Sequence, residues 1–194
     1  MTTVATPERI GYAYKVFYRP EGTDKLYPPM VANPNGETTP TGVWLKAEAG
    51  EIAGRTKTGR LHVKAGGKGT RSGKLTLSYR PGWHLGETPD APQFLHKDGT
   101  WPKELVFAVC QYDCTVDYQA EADSYGYTKT GKWQNSLAGL PRVPENGRYR
   151  YRTNPNPKTP TWIITGAMKV LRVLDMEETN MLRRAHGLED LKVR

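Results

Sequence analysis

Long apolar runs and cysteines are both scarce in this 194-residue chain. No apolar stretch approaches the ~18 residues that a membrane-spanning helix needs, and residues 1–9 lack the apolar segment of a secretory signal. The two cysteines are too few for a disulfide framework, and a structural zinc site takes more ligands than they supply. The sequence therefore predicts a cytoplasmic protein, inside a host cell, with no membrane partner and no metal.

Cys110 and Cys114 lie four residues apart, at the end of a predicted strand. A metal pair would need further ligands, and the histidines show no ligand spacing: His62, His84, His96 and His186. Free thiols packed in the fold are the favoured interpretation over a metal site.

Acidic residues are absent from residues 55–80, whereas the whole chain has a net charge of +8. This stretch contains five glycines and eight basic residues: Arg55, Lys57, Arg60, Lys64, Lys68, Arg71, Lys74 and Arg80. Glycines let backbone N–H groups approach an anion, and the bases add charge. We predict a basic, glycine-rich loop at 55–74 that binds nucleic acid or another polyanion. The alternative is a solvated loop without a ligand.

Turn-forming residues are abundant, with 20 glycines and 15 prolines, and they favour short strands over a helical bundle. We expect an α+β fold with central twisted β-sheets, few short helices and a C-terminal helix. Residues 1–9 are predicted to be a flexible N-terminus and residues 10–194 a single globular domain. Predicted strands include 10–18, 104–112 and a long strand at 162–174 bent at Gly166.

Three helices are expected. Thr88 and Pro89 have the residue types that cap and begin a short helix, and residues 117–127 form a second short helix ending at Gly126. Asp175 and Glu178 form a capping box for the C-terminal helix. That helix should end at Gly187 and carry three apolar residues on one face: Met181, Leu182 and Ala185. Residues 139–160 are predicted to be rich in turns.

Two groups of residues could carry chemistry. His84 lies in a segment bounded by Gly82 and Gly86, where it could contact a ligand and titrate near neutral pH, or be a half-buried structural residue. Glu121 belongs to an acidic, aromatic patch with Asp117, Tyr118, Asp123 and Tyr125. A carboxylate there could act as a general base, and a solvated helix face is the alternative.

The order of three segments resembles the ADP-ribosyltransferase fold of the poly(ADP-ribose) polymerase and diphtheria-toxin type. Residues 82–94 are similar to the glycine–aromatic segment and short helix of that family. Residues 105–112, followed by 115–118, are similar to its apolar central strand and polar turn, and residues 162–170 occupy the place of its late strand. The resemblance implies NAD as cofactor and transferase chemistry.

Carried over to this sequence, the resemblance implies a catalytic His84 and Glu121. It also implies a cofactor pocket of Tyr14, Trp83, Gln111 and Tyr118. Lys15 stands where the family has His or Arg in its first strand. Pro160, Thr161 and Trp162 stand where its catalytic glutamate is expected.

The longer string, including residues 27–34 and 152–155, is similar to an uncharacterised family of large phage and mobile-element proteins. That resemblance implies a role in phage–host conflict and names no activity. Taken with the ADP-ribosyltransferase resemblance, it implies a protein that binds NAD, another nucleotide or nucleic acid, and that modifies or blocks a host macromolecule, with a host defence protein among its partners. The alternative is a non-catalytic, basic nucleic-acid-binding or anti-defence protein.

Overall fold

The computed structural model of the chain describes residues 1–55, 61–67, 76–128, 130–134, 137–152 and 160–194. Most of the regular structure is β-sheet, which agrees with the mainly β or α+β class expected from composition. Within these ranges, neither α-helix is long and apolar enough to cross a bilayer.

Eleven strands and two α-helices follow one another along the described parts of the chain. The strands are β1 (Ile10–Tyr18), β2 (Trp44–Lys46), β3 (Ile52–Arg55), β4 (Leu61–Lys64), β5 (Thr76–Ser78), β6 (Trp83–Gly86), β7 (Leu105–Asp113), β8 (Val116–Asp117), β9 (Gly147–Tyr151), β10 (Trp162–Thr165) and β11 (Ala167–Val173). The helices are α1 (Gln119–Ser124) and α2 (Met176–Ala185). The described strands form an eight-stranded mixed sheet, β2-β11-β7-β1-β6-β10-β9-β8, and a second sheet, β3-β4-β5.

The two long strands predicted from apolar pattern, β1 and β7, are confirmed and pair antiparallel throughout β1. Alternate side chains of each strand point to opposite faces of the sheet. Ala108 and Cys110 belong to the core cluster on one face, and Leu105 and Phe107 belong to the cluster on the other. Burial on both faces explains why β7 is apolar at nearly every position.

Gly166 divides the predicted long strand into two strands, β10 and β11, with different partners. β10 pairs with β6 and β9, whereas β11 pairs with β7 and β2. A Cβ atom at this glycine would collide with the carbonyl oxygen of Pro144. The residue at the bend therefore allows close approach of another backbone segment.

Helix α2 begins at the predicted capping box, in which the Asp175 side chain accepts from the Glu178 amide at 2.8 Å. Of the three apolar residues expected on one face, Leu182 packs against a core cluster, whereas Met181 is 56% exposed and Ala185 is also exposed. Thr179 and Arg183 are buried instead. The Arg183 guanidinium is compensated by the carbonyl of Pro89 and the carboxylate of Asp90, at 2.7 and 3.0 Å.

Two further expectations need correction. The predicted helix at Pro89 does not form, and a single 3₁₀ turn, Pro92–Phe94, follows instead. Residues 139–160 were expected to be turns, but β9 lies within them because Tyr149 and Tyr151 pack into the core. The helix expected at 117–127 is confirmed as the shorter α1.

Candidate functional site

The main sheet is split between β1 and β6. These neighbouring strands share a single residue pair, Tyr14 with Gly86. Continuing that antiparallel register would place Val16 opposite His84, and no such pair forms between these two described strands. The halves β2-β11-β7-β1 and β6-β10-β9-β8 therefore diverge beyond Tyr14.

A cavity of about 790 Å³ opens at this split. Its other walls are residues 28–34, residues 46–51 and part of the second sheet. The volume is within the roughly 300–1,000 Å³ typical of small-molecule sites. Among the side chains on the walls are those of Lys15, Arg80, Trp83, His84, Tyr151 and Trp162.

Lys15 is a buried lysine at the centre of the split, only 8% exposed. Its Nζ donates to the carbonyl oxygen of His84 at 3.0 Å, so it bridges the two diverging strands. Nζ also lies 5.6 Å from the ring centroid of Phe17 and 5.5 Å from that of Trp83. Burial lowers the pKa of this amine from its usual 10.5 to about 8, because the rings and one carbonyl replace water only in part.

His84 uses both ring nitrogens within the protein. Nε2 lies 2.8 Å from the carbonyl oxygen of Arg80, which can only accept, so this nitrogen carries the proton. Nδ1 lies 3.4 Å from the hydroxyl of Tyr151 and accepts from it. Burial lowers the pKa of His84 to about 4, which corrects the expectation that it titrates near neutral pH. His84 contributes a neutral, oriented imidazole to the wall.

Trp83 belongs to the core of the sheet, and its indole N–H donates to the carbonyl of Leu45 at 3.0 Å. The flanking glycines make room for protein atoms. A Cβ at Gly86 would lie 2.8 Å from the carbonyl oxygen of Thr88, and one at Gly82 would collide with Ile164. These glycines are therefore explained by packing within the fold.

The charges around the cavity are divided between its interior and its exposed part. Arg80 is half-buried, with its guanidinium 4.5 Å from the ring centroid of Tyr151 and its Nε donating to the carbonyl of Ala138 at 3.2 Å. The only carboxylates on the described walls, Glu48 and Glu51, are both exposed. The buried part of the cavity thus carries cations and aromatic rings.

The other predicted pocket residues lie elsewhere. Gln111 donates to the hydroxyl of Tyr12 at 2.9 Å, and its buried Oε1 has no hydrogen-bond partner among the described residues. Tyr14 packs its ring edge-on against His186, with centroids 6.5 Å apart. Neither side chain lines the cavity at the split.

Tyr118 and Glu121 form a group around Arg142 that is separate from the cavity. Glu121 accepts from the Arg142 guanidinium at 2.7 and 2.9 Å, and the same cation lies 5.0 Å from the Tyr118 ring centroid. The Tyr118 hydroxyl donates to the carbonyl of Glu145 at 2.9 Å. The structure therefore does not bring Glu121 and His84 into one cleft, because helix α1 packs near β9 instead of the β1–β6 split.

The predicted basic loop is only partly described. Arg55 ends β3 and Lys64 ends β4, and both are exposed on the second sheet. Arg80 lines the cavity, whereas the remaining five bases lie outside the described residues: Lys57, Arg60, Lys68, Arg71 and Lys74. In the described ranges, no three His, Cys, Asp or Glu side chains are close enough together to hold a metal ion.

Sequence reasoning missed Lys15 as a site residue and treated Arg80 only as part of the basic loop. A signal for Lys15 was present, because it is the only charged residue in the apolar strand β1. Tyr151 gave no comparable signal, since it stands in a stretch whose composition indicates turns.

Comparison with protein-family models, curated proteins and solved structures found no match to this chain. The resemblance to ADP-ribosyltransferases stays a prediction.

Proposed function

We propose that the cavity at the β1–β6 split binds a nucleotide. The observation that carries this proposal is that the buried Lys15 and the half-buried Arg80 lie among aromatic walls with, on the described part of the lining, no buried carboxylate. A nucleotide offers the complementary groups, an anionic phosphate and a flat aromatic base. An apolar, aromatic pocket with a few placed polar groups is the usual form of such sites.

Lys15 and Arg80 are suited to the phosphate end. An anion beside Lys15 stabilises the charged amine, which recovers part of the free energy lost when the cation is buried. Arg80 is held in place by Tyr151 and by the Ala138 carbonyl, so little side-chain entropy is lost on binding.

The aromatic walls are suited to the base. Trp162 and Phe94 are half-buried residues of the lining, and Tyr151 is buried beneath Arg80. Ring faces of this kind stack on heteroaromatic bases, typically for ~1–3 kcal/mol per base. The polar edges of the base would then determine which nucleotide is preferred.

NAD is one member of this ligand class, so the proposal includes the cofactor that the resemblance to ADP-ribosyltransferases implies. Transfer of ADP-ribose is a further step of that proposal. Glu121, the carboxylate predicted for it, is paired with Arg142, whereas the carboxylates on the described cavity wall are Glu48 and Glu51. NAD consumption by the wild type and by the variants Glu121→Gln and Glu48→Gln measures whether transfer occurs and which carboxylate supports it.

The test of binding is thermal and chemical unfolding with a panel of ATP, AMP, NAD, ADP-ribose, adenosine and inorganic triphosphate. A ligand at 100 times its dissociation constant should stabilise the wild type by about 2.7 kcal/mol. Lys15→Met should weaken binding of the phosphorylated ligands and leave the weak binding of adenosine unchanged.

Lys169→Met is the matched control, because Lys169 also holds its Nζ over an indole ring, 5.4 Å from the Trp44 centroid, but does not line the cavity. Stabilisation of both variants to the same extent as wild type, or no response of the wild type to any nucleotide, would contradict the proposal.

A second candidate function is binding of a polyanion, such as nucleic acid, by the basic segment at 55–80. The observation in its favour is the complete absence of acidic residues among eight bases, two of which, Arg55 and Lys64, are exposed on the second sheet. Such a protein could block a host machine without catalysis. The salt dependence of binding and the effect of Lys15→Met distinguish the two functions, because Lys15 is part of the nucleotide site and not of the basic segment.

A further inference from the structure

We propose that Lys15 is a reactive amine that forms an imine with an aldehyde-bearing ligand in the cavity. This activity goes beyond nucleotide binding and does not depend on it. The ligand class is an aldehyde attached to a flat ring or to an anionic group, because the walls around the amine offer aromatic faces and the guanidinium of Arg80.

The position of the amine carries the inference. Lys15 is buried, yet it lines a cavity large enough for a small molecule. Its one described hydrogen bond goes to the His84 carbonyl at 3.0 Å, and no carboxylate pairs with it among the described residues. A structural lysine in a core normally has such a carboxylate partner, since an unpaired buried charge is strongly destabilising.

Burial favours the neutral form of Lys15, and no negative charge among the described groups that face it offsets this effect. From β6, the neutral imidazole of His84 and the indole of Trp83 supply no negative charge. From β7, the Cys110 thiol keeps its proton, because burial raises its pKa to about 12. The pKa of Lys15 falls to about 8. Near pH 7 about 9% of such an amine is neutral, against about 0.03% of an ordinary lysine, a difference of about 300-fold.

The chemistry requires no other reactant. The lone pair of neutral Nζ attacks the carbonyl carbon, and the carbonyl π electrons move to oxygen. The resulting carbinolamine loses water, which carries away the carbonyl oxygen and the two amine hydrogens, and a C=N double bond remains. The His84 carbonyl holds one N–H and so directs the lone pair away from the β6 backbone. Lysines desolvated in apolar pockets are activated in this way.

The test is site-resolved labelling of the folded wild-type protein with pyridoxal 5′-phosphate near pH 7. Borohydride reduction fixes the imines, and digestion with mass spectrometry gives the yield at each lysine. Lys15 should be labelled at least about 10-fold faster than the exposed Lys25 and Lys97, a margin below 300-fold because a less basic amine is a weaker nucleophile. The advantage should vanish in urea, where all lysines are solvated.

A second probe, benzaldehyde, lacks the phosphate and separates reactivity from anion binding. Lys15→Arg keeps the cation but removes the nucleophile, and it should abolish the fast-labelled site. Labelling of Lys15 no faster than of Lys25 and Lys97, with both probes, overturns the inference. Fast labelling that ATP does not slow would support the reactive amine and count against the nucleotide site, so the two proposals can fail separately.

Discussion

Replacing Lys15 by Met should change how stability depends on pH. In the wild type, burial lowers the pKa of Lys15 to about 8 from the 10.5 of a solvated lysine. Between these two values the unfolded chain binds more protons than the folded one, so this residue makes the stability of the wild type rise with pH. The methionine side chain carries no titratable proton, and the variant therefore lacks that rise.

The size of the effect follows from the two pKa values. Near pH 7 both states are protonated and burial of the charge costs the wild type about 3.3 kcal/mol. Near pH 10 most folded molecules hold the neutral amine, and the penalty falls to about 0.8 kcal/mol. The stability of the variant relative to wild type should thus decrease by about 2.5 kcal/mol over this interval. Loss of the hydrogen bond to His84 adds a constant offset, which leaves the slope unchanged.

The assay is urea denaturation of both proteins at matched pH values, with the difference in unfolding free energy as the readout. Taking this difference cancels the contributions of groups that titrate in the same way in both proteins. Cys110 is an exception, because the Lys15 cation beside it lowers its pKa while burial raises that pKa to about 12. Both proteins are therefore compared with Cys110 replaced by alanine, which removes the loss of stability that this thiol causes above pH 9. Lys169→Met controls for loss of a lysine from an indole face. A difference between Lys15→Met and wild type that stays flat within about 0.5 kcal/mol would refute the buried-charge argument.

Three further results are expected. Thiol titration of the unfolded protein without reductant should give two thiols, and in the native state the half-buried Cys114 should react before the buried Cys110; recovery of no thiols would contradict this. His84→Ala should lower the melting temperature, because it removes both ring hydrogen bonds, and leave nucleic-acid binding intact; an unchanged melting temperature would show that these bonds contribute nothing. Replacing four bases of the basic segment with alanine should weaken nucleic-acid binding, measured at low and moderate salt, and remove much of its salt dependence: Lys64, Lys68, Arg71 and Lys74. Equal affinity and equal salt slopes in the variant and the wild type would rule out binding by this segment.

The elements that could be predicted from sequence are those whose signal is local. β7 is a long apolar run, and a strand buried on both faces needs such a run wherever it lies in the chain. β1 is rich in aromatic and β-branched residues, which favour strands. The capping box of α2 involves residues three apart, so its hydrogen bonds are implied by the sequence itself. β9 was missed because its alternating arginines and tyrosines are typical of a protein surface. Tyr149 becomes a core residue through a cluster that includes Leu140 and Ile164, which are distant from it in sequence or on another strand.

The site could not be predicted in the same way, because it arises where pairing stops. Whether β1 and β6 pair along their length or part after Tyr14 depends on contacts between segments that are far apart in the chain. The predicted cleft grouped Trp83, His84 and Glu121 on the strength of a resemblance. In the fold Glu121 lies on α1, where its carboxylate forms an ion pair with Arg142.

Lys15 connects the split in the sheet with the chemistry proposed for the cavity. Where two strands diverge, backbone groups that a ladder would satisfy need other partners. The Lys15 amine donates to the carbonyl of His84 in this way, so a lysine is held inside the sheet, where an apolar residue at its position could not make that hydrogen bond. The same placement removes the amine from water and from carboxylates while leaving it on the wall of a cavity. The residue that bridges the split is therefore also the amine proposed to react with an aldehyde.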